Sequence, residues 1–157
     1  LLGEQAVLEY NDAIVLRINL IGVHPNGSRG QNFLEWLVDS VRSNKDIKLF
    51  SDVMVNPLSN WTVADFIKKI INKKPKEKIF HITSKNVLSK ADIGKLVVEK
   101  LGNYNGKMEI ISIDRASNGA FRPKQMWLNS EYTQKRLNYR MPSLESEIEK
   151  IFKMLNI

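Results

Sequence analysis

The chain has 157 residues, of which 43% are hydrophobic and 26% are charged, the composition of one globular domain with a sizeable core. It contains no cysteine, which excludes disulfides and thiolate metal sites and fits a reducing, cytoplasmic compartment. No apolar stretch approaches the roughly 20 residues that cross a bilayer, so we expect no membrane partner.

The net charge of +7 is concentrated in the second part of the chain. Residues 1–65 carry five Lys/Arg and eight Asp/Glu, whereas residues 66–157 carry nineteen and nine. A basic half suits an anionic partner, either nucleic acid or a phosphate-bearing small molecule. Most of the excess is interpreted as solvated helix surface. Because no nucleic-acid motif is present, a nucleic-acid-binding module is the weaker alternative.

The first third of the chain predicts a helix, a buried strand and a second helix. Residues 2–11 continue a helical pattern with no cap before it, which suggests the end of a longer helix. Residues 13–22 form a nearly continuous apolar run rich in β-branched residues, typical of a buried parallel strand. Residues 32–43 then predict a helix with one apolar face.

The rest of the chain alternates short strands with amphipathic helices. A helix capped by Thr62, with Asp65 as its capping-box partner, follows the strand predicted at residues 53–55. Ser89 caps another helix, and Ser143 begins a capping box that opens the last one. The alternation predicts the α/β class. Short strands are predicted at residues 47–50, 53–55, 79–82 and 108–113.

Neither histidine predicts a metal or catalytic site. His24 lies in a loop, from which it can approach a ligand, whereas His81 lies in an apolar strand and is interpreted as structural. Nothing pairs either one with a second metal ligand at a useful spacing. The sequence has no nucleophile elbow and no glycine-rich phosphate loop, so the residues contain no complete catalytic constellation.

Three polar residues are candidates for binding an anionic ligand. Asn19 lies near the carboxyl end of a predicted buried strand, where open α/β sheets bind ligands, or else it caps a neighbouring loop. Asn32 begins a helix and is either an anion contact or, as the stronger interpretation, a plain N-cap. Arg122 precedes Pro123, which favours an extended backbone, and its guanidinium can fork onto a phosphate or form a surface ion pair.

The order of these segments resembles the second half of the dTDP-4-dehydrorhamnose reductases and their relatives among extended short-chain dehydrogenases. Two departures accompany the resemblance. Ile18-Asn19-Leu20 replaces the family's Thr-Ser-Trp, and the catalytic Tyr-x-x-x-Lys and amino-terminal glycine loop are absent. Six segments carry the resemblance over the whole chain: Leu1-Leu2-Gly3-Glu4, residues 16–22, Asn32-Phe33, residues 52–66, residues 79–90, and Arg122-Pro123 with Leu128-Asn129.

The resemblance implies that residues 1–157 are the carboxy-terminal substrate-binding region of a Rossmann-like protein whose amino-terminal dinucleotide-binding domain is absent. Its strands would be few and mostly parallel, with flanking helices. The complete enzyme would use NAD(P) to reduce the 4-keto sugar of a nucleoside-diphosphate sugar in polysaccharide biosynthesis. Residues 1–157 alone are expected to bind no cofactor and to be inactive. The first strand, which expects neighbours from the absent domain, would favour homodimers.

The resemblance also implies which residues contact the substrate. Asn19, Asn32, Phe33 and Arg122 are expected to touch the diphosphate or the sugar. Phe33, Trp36 and Phe50 could wall the base or the sugar, although core packing is the favoured role of Trp36. One alternative stays open within the same superfamily, a non-catalytic relative that binds a nucleotide and regulates a partner enzyme.

Overall fold

Strands and helices alternate along the chain, as the sequence predicts. The computed structural model describes residues 2–24, 31–116 and 122–156. The helices are α1 (Leu2–Leu8), α2 (Phe33–Arg42), α3 (Asn60–Lys73), α4 (Lys90–Leu101), α5 (Glu131–Leu137) and α6 (Leu144–Leu155). The strands are β1 (Val15–Ile18), β2 (Leu20–Ile21), β3 (Ile47–Phe50), β4 (Met54–Val55), β5 (Leu58–Ser59), β6 (Ile79–Ile82), β7 (Leu88–Ser89), β8 (Met108–Ile111) and β9 (Gln125–Met126).

Most strand pairs are parallel. β1 pairs with β6 from Val15 opposite Ile79 to Ile18 opposite Ile82, and helix α3 lies in the connection between them. β2 pairs with β5, and β3 pairs with β8, in the same sense. β4 lies between β9, which is parallel to it, and β7, which is antiparallel. Parallel neighbours need long crossovers, and helices supply them here.

Two apolar clusters hold the layers together. In the first, α2, α4 and α6 pack around β3, with Leu37, Leu49 and Ile148 almost fully buried. In the second, Phe66 of α3 packs with Phe80 of β6 near the carboxyl end of α5. Burial of these side chains is the main favourable contribution to folding. Both clusters support the layer of strands that carries the site described below.

The predicted strand at residues 13–22 is interrupted. It forms β1 up to Ile18 and β2 from Leu20, and the two segments pair with different strands. The carbonyl of Asn19 accepts a hydrogen bond from the amide of Leu58 at 2.9 Å, which transfers the chain from β6 to β5. The strand is parallel as predicted, but the prediction that it is buried is wrong, since all four residues of β1 are only half-buried.

Three predicted boundaries need smaller corrections. Helix α1 ends at Leu8, and β8 ends at Ile111, after which Ile113–Arg115 form a 3₁₀ turn. Ser143 does cap α6, by accepting from the amide of Ser146, but no glutamate returns the bond. The Ser89 cap and its box with Asp92 are present as a full reciprocal pair.

The predicted cap of α3 is wrong, and its replacement depends on a buried carboxylate. The N-cap is Ser59, while Thr62 lies inside the first turn. Glu147 of α6, only 2% exposed, accepts from the amide of Ser59 at 2.5 Å and from the hydroxyl of Thr62 at 2.7 Å. The negative charge thus lies at the amino end of α3, where the helix dipole favours it. Helix α6 is thereby joined to β5 and α3.

Replacing Glu147 with Ala is expected to lower the free energy of unfolding by roughly 2–4 kcal/mol, because two buried donors lose their acceptor. Urea unfolding measures the change. Glu149→Ala is the matched control in the same helix, since the Glu149 side chain is 61% exposed and pairs only with Lys100 among the described residues. It should cost less than about 1 kcal/mol. Equal losses in the two variants would contradict the structural role of Glu147.

Candidate functional site

Two neighbouring cavities open where β1 and β2 end and where α2 and α4 begin. The larger, of about 530 Å³, extends from Asn19 to Lys90. The smaller, of about 270 Å³, contains Trp36 and Arg122 in its wall. Asn32, Phe33 and Lys90 line both cavities. Together the cavities have the size of a small-molecule site, and they lie at the strand ends where α/β sheets bind ligands.

Asn19 lies in the wall of the larger cavity, with part of its side chain already used. Its Nδ2 donates to the carbonyl of Met126 at 2.5 Å, which ties the end of β9 to the end of β1. The sequence left open whether this amide contacts a ligand or caps a neighbouring segment. The structure gives it the tethering role and also places it at the cavity, where Oδ1 and the second Nδ2 hydrogen are left for a ligand.

Asn32 has the N-cap role that the sequence favoured. Its Oδ1 accepts from the amides of Leu34 and Glu35, both at 3.0 Å, while the Glu35 carboxylate returns a bond to the Asn32 amide at 2.9 Å. His24 joins this group, because its ring Nδ1 lies 3.0 Å from Glu35 Oε2. Hydrogen bonds from the Asn32 and His24 amides lower the pKa of the Glu35 carboxyl. The Asn32 Nδ2 group, which lies 3.4 Å from His24 Nδ1, is the part of the side chain left for a ligand.

Aromatic side chains form one wall of the smaller cavity. Phe33 and Trp36 stack with their ring centroids 6.1 Å apart and their planes inclined by 29°. Phe50, at the end of β3, lines the same cavity. Trp36 also packs against the first apolar cluster, so it is a core residue as well as part of the cavity wall. Such a wall suits a planar ring.

Lys90 is the residue at this site that sequence reasoning missed. It is the first residue of α4, it lines both cavities, and its Nζ lies 5.1 Å from the centroid of the Phe33 ring. Burial, and then the nearby positive charge of Arg122, lower the pKa of the Lys90 ammonium group. The local signal was present: a lysine at the amino end of a helix opposes the helix dipole, so helix stability does not explain it.

Arg122 is exposed and lines the smaller cavity, and the segment that follows it is anchored. Lys124 Nζ pairs with Asp52 at 3.0 Å and with Asp114 at 2.5 Å, and the Lys124 carbonyl accepts from the amide of Met54 at 2.7 Å. Among the described residues, no carboxylate lies within ion-pair distance of Arg122 itself. The alternative interpretation of Arg122 as a partner in a surface ion pair therefore does not hold among the described residues. The predicted loop of residues 119–123 lies partly outside the described residues.

Asp52 is the centre of this anchor. It accepts from the Ser112 hydroxyl at 2.7 Å and from the Ile113 amide at 2.9 Å, in addition to pairing with Lys124. These hydrogen bonds, the one from Ser112 first, hold the pKa of the Asp52 carboxyl well below its usual range. The anchor joins the start of β4 to the end of β8 and to the chain that carries Arg122.

His81 has the structural role that the sequence predicts. Its Nδ1 lies 3.2 Å from the Asn129 carbonyl, and its Nε2 lies 3.2 Å from Arg17 Nη1. The carbonyl requires a proton on Nδ1, so Nε2 accepts from Arg17 in the neutral ring. Arg17 also forks onto Glu4 at 3.0 and 2.7 Å. This network ties α1 to β1 and β6, away from the two cavities.

The described residues show neither a metal cluster nor a membrane-spanning helix. No three metal-ligating side chains converge within residues 2–24, 31–116 and 122–156. Over the same ranges, no helix combines the length and the apolar character that a bilayer crossing requires. Five of the nineteen Lys and Arg side chains of residues 66–157 form ion pairs with described residues, as in Lys100 with Glu149 at 2.8 Å and Lys95 with Asp92 at 3.3 Å.

Parallel strands, helical crossovers and a cavity at the strand ends define a Rossmann-like α/β binding domain. The family model described as the RmlD substrate binding domain matches residues 1–157. The chain therefore belongs to the RmlD substrate-binding domain family. The α/β class, the mostly parallel strands and the reductase-like resemblance predicted from sequence are confirmed. No curated protein sequence matches the chain significantly.

Solved structures share this fold. The chain is similar to dTDP-4-dehydrorhamnose reductase from Bacillus anthracis in complex with NADP, at 23% identity and a TM-score of 0.81 over 97% of this chain and 52% of that chain. The same enzyme from Yersinia enterocolitica matches at 22% identity and a TM-score of 0.77, over 96% and 51%. UDP-N-acetylglucosamine 4-epimerase from Bacillus cereus matches at 12% and 0.66, over 90% and 45%. The chain spans about half the length of these structures.

We expect Asp52→Asn to lower stability at pH 7, and the difference from the wild type should shrink as the pH falls below about 4. The folded-state pKa of Asp52 is depressed, so its stabilisation is present above the ordinary carboxyl pKa and is lost as the pH falls toward the folded value. Urea unfolding at several pH values measures this. The idea fails if the gap between the two proteins is the same at pH 7 and pH 3.

Proposed function

We propose that this chain is the substrate-binding part of an NAD(P)-dependent enzyme that reduces the 4-keto sugar of a nucleoside-diphosphate sugar. The observation that carries the proposal is the pair of neighbouring cavities at the strand ends, with Lys90 and Arg122 in their walls. Two cations beside a stacked aromatic wall suit a ligand that carries both phosphate and a planar base. Membership of the RmlD substrate-binding domain family supports the same class of ligand.

Each predicted contact residue has a position that suits this role. Asn19 offers Oδ1 to the sugar end, and Asn32 offers Nδ2 from the shared wall. Phe33 presents its ring to both cavities. Arg122, which can fork onto a phosphate, lies in the wall of the smaller cavity. In this arrangement the chain binds and orients the substrate, while the chemical step belongs to groups from elsewhere.

We propose that those groups come from a dinucleotide-binding domain that acts with this chain in the same enzyme. The matched reductases have about twice its length, and β1 is half-exposed and pairs only with β6 among the described strands. The companion domain would cover the other edge of β1, which otherwise would pair two copies of the chain. The sequence has no glycine-rich phosphate loop, so NAD(P), the hydride source, would bind to that domain.

Replacing Arg122 with Met should weaken binding of dTDP or UDP by roughly ten- to a hundred-fold, because a charge-assisted hydrogen bond to phosphate is lost. Isothermal titration calorimetry measures the dissociation constants. Arg140→Met is the control, since Arg140 is exposed and lines neither cavity. If the wild type and Arg122→Met bind dTDP and UDP with equal affinity, Arg122 does not contact the phosphates.

The chain alone is expected not to oxidise NADPH in the presence of a nucleoside-diphosphate 4-keto sugar, because it supplies neither the tyrosine–lysine pair nor a dinucleotide loop. Absorbance at 340 nm follows the reaction. As a positive control, a dinucleotide-binding domain from a related reductase is added, and oxidation of NADPH is then expected. Turnover by residues 1–157 alone would contradict the proposal that this chain binds the substrate while another domain supplies the catalytic groups.

A further inference from the structure

Lys90 stands at the boundary between the two cavities. With Phe33 and Asn32 it belongs to the wall of both, whereas Asn19 lies only in the larger and Arg122 only in the smaller. The Asn32 Oδ1 is occupied by the helix cap, and the Phe33 ring is apolar. Asn32 can offer only its neutral Nδ2 group, so the Lys90 ammonium is the one charged hydrogen-bond donor among these three shared residues.

The surroundings of Lys90 disfavour its positive charge, and no carboxylate among the described residues compensates for this. The side chain is half-buried, it lies near a second cation, and it occupies the first position of α4, where the helix dipole repels it. The acidic residue of that turn, Asp92, is bonded to Ser89 and Lys95 instead. The Phe33 ring face supplies only a weak attraction. A cation arranged in this way is prepared for an anion.

We propose that Lys90 binds the diphosphate of the sugar nucleotide and fixes which end of the ligand enters which cavity. The inference rests on the function proposed above. The sugar would lie in the larger cavity beside Asn19, and the base would lie in the smaller one against Trp36 and Phe50. Arg122 would reach the diphosphate from the side of the base.

The dimensions agree with this orientation. The smaller cavity, of about 270 Å³, is flanked by aromatic rings that can stack on a base. The larger, of about 530 Å³, has backbone and amide groups at its Asn19 end, which suit hydroxyl groups of a sugar. A ligand that occupies both must pass the three shared residues, so its phosphates come within reach of Lys90.

Lys90→Met tests the proposal, because methionine keeps the apolar stem over Phe33 and removes the charge. Binding of dTDP, inorganic pyrophosphate and thymidine to the full chain is measured by calorimetry. We expect Lys90→Met to bind dTDP and pyrophosphate at least ten-fold more weakly than the wild type, and to bind thymidine within two-fold of the wild type. Lys90→Arg should retain most of the wild-type affinity for dTDP. Matching circular dichroism spectra and melting temperatures show that the variants fold.

Lys69→Met is the matched control, since Lys69 also lies over an aromatic ring, 4.4 Å from the Tyr139 centroid, but lines neither cavity. It should bind dTDP like the wild type. If the wild type binds dTDP and Lys90→Met binds it equally well, the role of Lys90 is refuted while the proposed function stands. If the wild type binds neither dTDP nor UDP, both proposals are overturned. An equal loss of thymidine binding would refute a phosphate role.

Discussion

The architecture depends on a change of hydrogen-bond partner in the backbone at Asn19. Up to Ile18 the chain pairs with β6, and from the Asn19 carbonyl onward it pairs with β5. Neighbouring strands diverge at that point, so a crevice forms beside the strand ends, as in other open α/β sheets. The first residues of α2 and α4, Phe33 and Lys90, face this crevice. One backbone bond thus decides where the cavities lie.

The polar groups around the crevice are of two kinds. Asn32, Glu35 and His24 satisfy one another through the helix cap, and they form a fixed frame. Lys90 and Arg122 carry charge that the described residues leave without a carboxylate partner. A rigid frame around uncompensated charge spends little entropy when a ligand binds. The crevice is therefore organised before any ligand binds, and the two apolar clusters pack behind it.

Local signals predicted the features that local interactions determine. The caps at Asn32 and Ser89 and the strands at residues 47–50 and 79–82 follow from short stretches of sequence. Tertiary contacts decided the rest. Ser59 and Thr62 are both good caps, and the buried Glu147 selects Ser59. The sequence shows that Lys90 begins a helix against the helix dipole, but only the fold brings it to Phe33 and Arg122 and so makes it a site residue.

The bonds that hold the crevice join residues far apart in sequence: Asn19 with Met126, Ser59 with Glu147, and Asp52 with Ser112. A ribosome delivers the second member of each pair long after the first. Until α6 emerges, the parallel strands lack their supports and expose unpaired edges, which is the condition in which nascent chains aggregate or recruit chaperones. Folding around the crevice is therefore expected to finish only after the last helix has been synthesised.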